Sequence, residues 1–311
     1  MDLQRAIDQA KDGDVILVPR GVHPGTLVIE KSLTLRGEGP GKSILDGEGR
    51  GACVLVNAET AKVKLQGLTL RKGASPEGGN IAYRMGELLE VEDCVLEDGQ
   101  AASYGGGGGR LAGRRARLVR TRIQKCDGLQ GGGLLADEEC EVELIACALT
   151  GNTATQGGAL RIKEGAKVTC VHCSLAENSA KSHGPNQSPL GDEIVITGTM
   201  SRTPSLKLIN CIVAPKGPGT PPVATFGKFG GEVSAAHCLF PTAARELAPG
   251  GPGNVFAQPE FMPQGQHRLA LSPTSGAVGA GDPKATPEGL TDPLGNPLAA
   301  AGRAHIGAYA G

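Results

Sequence analysis

The residues of this chain best suited to chemistry are charged, and they recur at a fixed distance from paired glycines. Five places beyond Gly78-Gly79, Gly108-Gly109, Gly131-Gly132 and Gly157-Gly158 stand Arg84, Arg114, Asp137 and Lys163, and two places before these stand Ala82, Ala112, Leu135 and Arg161. A strand running from each pair would turn both sets to the same side, because alternate side chains of a strand share a face. The spacing therefore predicts a mixed-charge column of Arg84, Arg114, Asp137 and Lys163, with Arg161 beside it and Asp137-Glu138-Glu139 at one corner. A cationic groove of this kind suits the carboxylates of an acidic polysaccharide. Lys or Arg is also a candidate base for removing the proton next to a carboxylate in β-elimination, with a second cation to stabilise the enolate. Arg84, Asp137 and Lys163 are thus the catalytic candidates, and Arg114, Arg161, Glu138 and Glu139 the substrate-binding ones. Calcium needs several oxygen ligands, which only the short acidic run offers. No cofactor is expected, unless the chain is a lyase that takes Ca2+. The competing reading is that opposite charges on stacked strands are ordinary cross-strand pairs.

Cysteine and histidine offer less. Five of the nine cysteines, Cys94, Cys147, Cys173, Cys211 and Cys238, occupy one repeat position, interrupted by Thr121. This reads as a buried ladder of small groups, and a buried thiol is inert. Cys170-Val-His-Cys173 has the look of a zinc half-site but lacks a second pair of ligands, so no metal is expected. His172 and His237 fall at one turn position, two coils apart with Asn210 between them, and are expected at a solvated edge.

The elements that must position these residues form a repeat. The pattern apolar-x-apolar-x-x-Cys-x-apolar fits Leu89 to Leu96, Val142 to Leu149, Val168 to Leu175, Leu206 to Val213 and Val233 to Phe240. Variants of it end at Leu70 and Ile123, with Leu68 and Thr121 at the Cys position. The marked positions are therefore Leu68, Cys94, Thr121, Cys147, Cys173, Cys211 and Cys238, which follow one another at a nearly constant step except for one longer step between Cys173 and Cys211. Each unit reads as three short alternating strands, for example Ala159 to Lys163, Lys167 to Val171 and Cys173 to Ala176. Turns such as Glu164-Gly165 and Asn178-Ser-Ala-Lys-Ser182 separate them. The Gly108-Gly109 pair lies three residues closer to its marked position than the other pairs do, which predicts a coil that has lost three residues from one turn. Three strands per coil is the signature of a parallel β-helix. The extra residues of the long step fall around His183 to Leu190 or Gly198 to Pro204, where a loop could wall a groove.

Composition agrees. Of 311 residues 49 are Gly, 8 are Tyr or Phe and none is Trp, which fits a narrow interior of small stacked residues. The balance of 31 basic against 32 acidic residues leaves no cationic excess for nucleic acid, and no apolar run is long enough for membrane insertion. The first residues do not have the pattern of a secretory leader. Leu3, Ala6, Ile7 and Ala10 lie on one face of a helix over about residues 2–11, a cap for the sheet edges of the first coil. The Pro- and Gly-rich stretch 241–311 lacks the repeat and is expected as an irregular tail over the last coil, following a β-helical body over 1–240.

Particular segments are similar to a known family. Gly157-Gly-Ala-Leu-Arg-Ile162, Leu175-Ala-Glu-Asn178 and Leu149-Thr-Gly-Asn152 resemble repeats of right-handed parallel β-helix proteins of the pectate-lyase-like superfamily. Leu3-Gln-Arg-Ala-Ile7, Gly13 to Val18 and Ser32 to Gly37 look like the usual first coil of that superfamily. His267 to Pro273, Gly279 to Pro283, Thr291 to Pro297 and Ile306-Gly-Ala-Tyr309 resemble the tail of bacterial surface proteins called choice-of-anchor Q, although Leu298 and His305 stand where those tails carry Arg and an acidic residue. The resemblance implies an all-β, single-stranded right-handed parallel β-helix of about eight coils. It also implies a bacterial, extracellular or cell-surface setting and, in relatives that act on polysaccharides, a substrate lying along the first sheet. The expected function is to bind, and to process as a polysaccharide lyase or glycoside hydrolase, a polysaccharide or cell-surface component. The alternatives are a non-catalytic structural or adhesive spacer and, given the reduced-looking cysteines and absent leader, an intracellular interaction scaffold. A monomer is expected.

Overall fold

A computed structural model describes residues 2–182, 190–217, 220–226, 228–262 and 268–310. The chain winds into a right-handed parallel β-helix of about eight coils, in which every strand pairs with its counterparts one coil away. The strands that follow the glycine pairs build a first sheet of eight, from Leu27–Ile29 to Val223–Thr225. A second sheet of nine runs from Asp14–Leu17 to Glu232–Ala236, and a third of ten from Gly21–Pro24 to Val255–Phe256. The middle coils depart from three strands: Gln100–Ala101, Asp127–Gln130, Thr153–Gln156 and Ser179–Ala180 add a short fourth sheet. Part of the segment 178–182, expected as a turn, is therefore strand.

The glycine pairs have a steric cause. A Cβ on Gly79 would lie 2.0 Å from the Gly107 carbonyl oxygen, and one on Gly132 would lie 2.2 Å from that of Gly158. Coils stack at strand spacing, ~4.8 Å, so where the chain enters the first sheet there is no room for a side chain. Large residues are costly inside as well. Tyr83 is fully buried, its hydroxyl donates to the Gly86 carbonyl at 2.7 Å, and a Cβ on Gly113 would meet its ring.

The cysteine ladder marks the corner between the second and third sheets. The residue before each marked position from Cys94 onward, Asp93, Arg120, Ala146, His172, Asn210 or His237, has a φ between 47° and 53°. This left-handed conformation bends the chain sharply at a cost to non-glycine residues. The next side chain points inward and satisfies carbonyls at the bend. Cys147 Sγ donates to Leu118 and Ile145, Cys173 Sγ to Leu144 and Val171, and Thr121 Oγ1 takes the same role toward Val91 and Val119. All nine cysteines are free and buried.

The first coil is covered by the helix Leu3–Gln9, which buries Leu3 and Ile7 and is capped by the Asp2 carboxylate accepting from Arg5 N. At the other end, residues beyond 256 run back along the outside of the third sheet. Leu269, Leu271, Ala277, Ile306 and Tyr309 pack there on Ala148, Ala176, Ile212 and Leu239. That cover changes the environment of His172. It is fully buried, its Nε2 faces Thr286 Oγ1 at 2.8 Å and Asn210 Nδ2 at 3.1 Å, and its Nδ1 makes no hydrogen bond. The expected solvated edge is thus an interface with the tail, and burial lowers the imidazole pKa to about 4. Among the described residues no helix is long and apolar enough to cross a membrane.

Candidate functional site

The outer face of the first sheet carries two columns, and pairing fixes their members. Leu135 aligns with Arg110 on one side and Arg161 on the other, and Arg161 aligns with Val195. Arg110, not Ala112, therefore belongs to the column of Arg161. The error lies in the glycine run. The pair equivalent to Gly78-Gly79 is Gly106-Gly107, since Gly78 bridges Gly106, and the coil is one residue short rather than three. Corrected for this, Arg114, expected as a substrate-binding residue, leaves the charged column. It lies in the following turn, where it and Arg115 hold opposite oxygens of Glu87, each at 2.7 Å. These contacts keep the Glu87 carboxyl below its usual range.

The second column runs Arg84, Ala112, Asp137, Lys163 and Thr197, and its centre is a network of ion pairs. Asp137 is 2% exposed. Its Oδ2 receives Arg110 Nε at 3.1 Å, Arg110 Nη2 at 3.0 Å and Lys163 Nζ at 3.4 Å, while its Oδ1 receives the Glu138 amide at 2.9 Å. Arg110 also holds Glu138, and Arg202 holds Glu139 at 3.1 Å. The turn that presents the two glutamates is strained. Glu138 and Glu139 have φ of 50° and 60°, whereas the equivalent turn of the next coil is Glu164-Gly165. Two successive left-handed residues without glycine cost ~1–2 kcal/mol each, of which the exposed ion pairs they make return at most about 1 kcal/mol each. The Asp137, Glu138, Glu139 and Lys163 expected at the site, together with Arg110, Glu164 and Arg202, line one cleft of about 500 Å³. Arg84 pairs with Glu77 at 2.6 Å and lines, with Arg114 and Glu138, a neighbouring cleft of about 300 Å³. The expected catalytic trio is thus divided: Asp137 and Lys163 meet, and Arg84 stands apart.

Arg161 differs from all of these. Its guanidinium belongs to the outer face beside Asp137, yet the residue is only 5% exposed, and neither Nε nor Nη1 has a hydrogen-bond partner. Burial lowers its pKa to about 10, against the opposing pull of Asp137. One rung from Lys163, Thr197 Oγ1 is likewise buried without a partner. Buried polar groups are normally bonded, and burying a charge without a bonded partner costs several kcal/mol. Arg161 and Thr197 thus place unmatched polar groups on one face.

The carboxylates of the acidic run are engaged by cationic side chains. Asp137, Glu138 and Glu139 each hold a cationic side chain, leaving no set of free oxygens, and among the described residues no group of three or more His, Cys, Asp or Glu could hold a metal. The insertion divides between the two places expected. Leu134 pairs with Leu160 and Val142 with Val168 at the ordinary coil length, whereas Leu160 pairs with Ile194 and Val168 only with Leu206. Most of the added length therefore precedes Ile194–Thr197, and the rest forms the turn at 198–204, which brings Arg202 to the cleft. His183 to Pro189 lie outside the described residues.

Neither a family model nor a curated protein matches the chain. Among solved structures it resembles a PL6 alginate lyase in complex with a trisaccharide, with a TM-score of 0.47, 11% identity, and coverage of 90% of this chain and 59% of that one. It also resembles the PL6 family alginate lyase AlyGC, with a TM-score of 0.32, 13% identity and coverage of 88% and 54%. The chain spans little more than half the length of these two proteins.

Proposed function

We propose that this protein binds an acidic polysaccharide along the outer face of the first sheet, with Arg161 as the anchor for a carboxylate. The observation that carries this reading is the buried guanidinium whose Nε and Nη1 lack partners. A planar fork of donors is matched by a carboxylate, and an arriving uronate would remove the cost of burying the charge alone. Lys163, held by Asp137, adds a second cation beside it. Paired in this way its ammonium serves better as an anion clamp than as a base, so binding is the core of the reading and cleavage by β-elimination its sharper form. Binding of a panel of uronate polymers to wild type and to Arg161→Gln tests the first, and ultraviolet absorbance of an unsaturated uronate product tests the second. A blank on both would end the carbohydrate reading. We take the setting to be the cell surface or outside the cell, as the tail's similarity to choice-of-anchor Q proteins implies.

The spacer reading has one observation in its favour. Outward charges of the second sheet are paired across the strands, as on a surface built to be solvated and inert.

A further inference from the structure

The column that holds Asp137 and Lys163 continues past the charged cleft. Lys163 aligns with Thr197, and Ile196 aligns with Thr225, so Phe226 stands in register one rung beyond Thr197. Its amide donates to the Ile196 carbonyl at 3.2 Å, which confirms that register. Phe226 is 48% exposed, in a chain with eight Phe and Tyr in all. Tyr104 and Phe229 are exposed as well, but Phe226 is the one that stands in register with the charged column. Successive positions of the column thus present an ammonium, a buried hydroxyl without a partner and an open aromatic face, with the ammonium and the ring two rungs or ~10 Å apart. Such an order suits a saccharide, which carries anionic, hydroxyl and apolar C–H surfaces on neighbouring rings.

We infer that Thr197 and Phe226 form a sugar subsite on the C-terminal side of Lys163. One pyranose ring lays its C–H face on Phe226 while a hydroxyl of the chain bonds Thr197 Oγ1. The bound saccharide then runs along the helix axis from Arg161 and Lys163 toward the last coils, away from Arg84. Arg84 and Arg114 lie on the other side of Asp137, toward the first coils, and play no part in it. The subsite rests on the polysaccharide reading above but makes a separate claim, because it concerns the length and direction of the ligand rather than its charge.

Calorimetric titration with uronate oligomers, a disaccharide and a tetrasaccharide of the same sugar, tests it. Wild type should bind the tetrasaccharide more tightly than the disaccharide. Phe226→Ala should lose about tenfold for the tetrasaccharide, the scale of one aromatic contact, with the disaccharide unchanged. Phe226→Tyr should retain wild-type affinity for both, and Thr197→Val should weaken the tetrasaccharide alone. Arg161→Gln should weaken both lengths. Unchanged tetrasaccharide binding by Phe226→Ala overturns the subsite and leaves the Arg161 anchor standing. Unchanged binding by Arg161→Gln overturns the anchor instead. If wild type binds neither oligomer, both fall. Phe226 is exposed on an irregular segment, so the melting temperature of its variants should match wild type and a folding defect cannot imitate the result.

Discussion

The outer faces of the first and second sheets both carry charge, but they dispose of it in opposite ways. On the second sheet Glu92 lies 2.6 Å from both Lys64 and Arg120, Arg120 also reaches Asp93 at 2.6 Å, Arg117 faces Glu143 at 3.3 Å, and Lys167 stands 4.0 Å from Glu141. These residues are partly or largely exposed, and where groups meet the contact is mutual. The first sheet keeps Asp137 buried at the centre of its pairs and Arg161 buried with two donors unmatched. A solvated ladder settles its charges within itself. The first sheet leaves donors unmet, and these are what the proposed ligand would satisfy. Charge density alone would not have separated the two faces; burial without a partner does.

The comparison can be broken most directly at Arg161. Replacing it with Gln should reduce uronate-polymer binding about a hundredfold, the range expected for removing one member of a desolvated charge pair. The same change should leave the melting temperature equal or higher, because the free protein no longer buries a charge alone. A loss of binding accompanied by a large loss of stability would make Arg161 a structural residue and remove the distinction between the faces.

Rising and falling pH should act on different regions. Glu193, fully buried at the entry to the first-sheet strand Ile194–Thr197, accepts from Asn178 Nδ2 at 2.6 Å, and burial raises its pKa to about 8. The folded protein holds this proton more tightly than the unfolded chain. Its stabilising share is therefore complete below the ordinary 4.5 and is lost as pH rises toward 8. His172, at the corner of the second and third sheets under the tail, has the reverse sign. With a folded pKa of about 4 against 6.5, its share is complete above 6.5 and is lost as pH falls toward 4. At about 1.4 kcal/mol per unit of pKa shift, each should be worth on the order of 3–5 kcal/mol across its window. Denaturant melts at several pH values should show Glu193→Gln removing the loss of stability as pH rises from 4.5 to about 8, and His172→Asn removing the loss as pH falls from 6.5 to about 4. If either variant removes the other loss instead, the assignment fails.

Asp137→Asn sharpens the contrast within the first sheet. It leaves Arg110 and Lys163 with a neutral partner in a partly buried place, which should cost about 2 kcal/mol of stability by urea unfolding. The smallest effect belongs to the second sheet. Lys167→Ala removes an exposed, distant pair and should change stability by no more than about 0.5 kcal/mol and binding not at all.

Much of this molecule was legible because the repeat writes the same geometric demand into successive coils. The cysteine position and the strands around Lys163 follow from one nearly constant period, and the helix over Leu3–Gln9 from the apolar face that precedes it. Asp137 and Lys163 were found by the same count and do meet. Arg110 was missed because five glycines, Gly105 to Gly109, precede it, and residues without side chains cannot mark a register. Only the pairing of Gly78 with Gly106 settles which two are equivalent. Phe226 was missed for a related reason: it follows the long insertion, where counting from a glycine pair no longer applies.

The sequence by itself determined the architecture, since small residues, paired glycines and two-residue alternation admit one way to stack coils. It also determined which residue types could serve an acidic ligand. Tertiary structure alone decided which of those charges are engaged with one another. Arg84, Arg114, Lys163 and Arg161 are equal as letters, and three of them stand against carboxylates that come from other turns or coils. Arg161 is left without one because Leu135 and Val195 occupy the positions on either side of it. A partner's presence is a property of neighbours distant in the chain. It therefore becomes visible only when the coils are stacked.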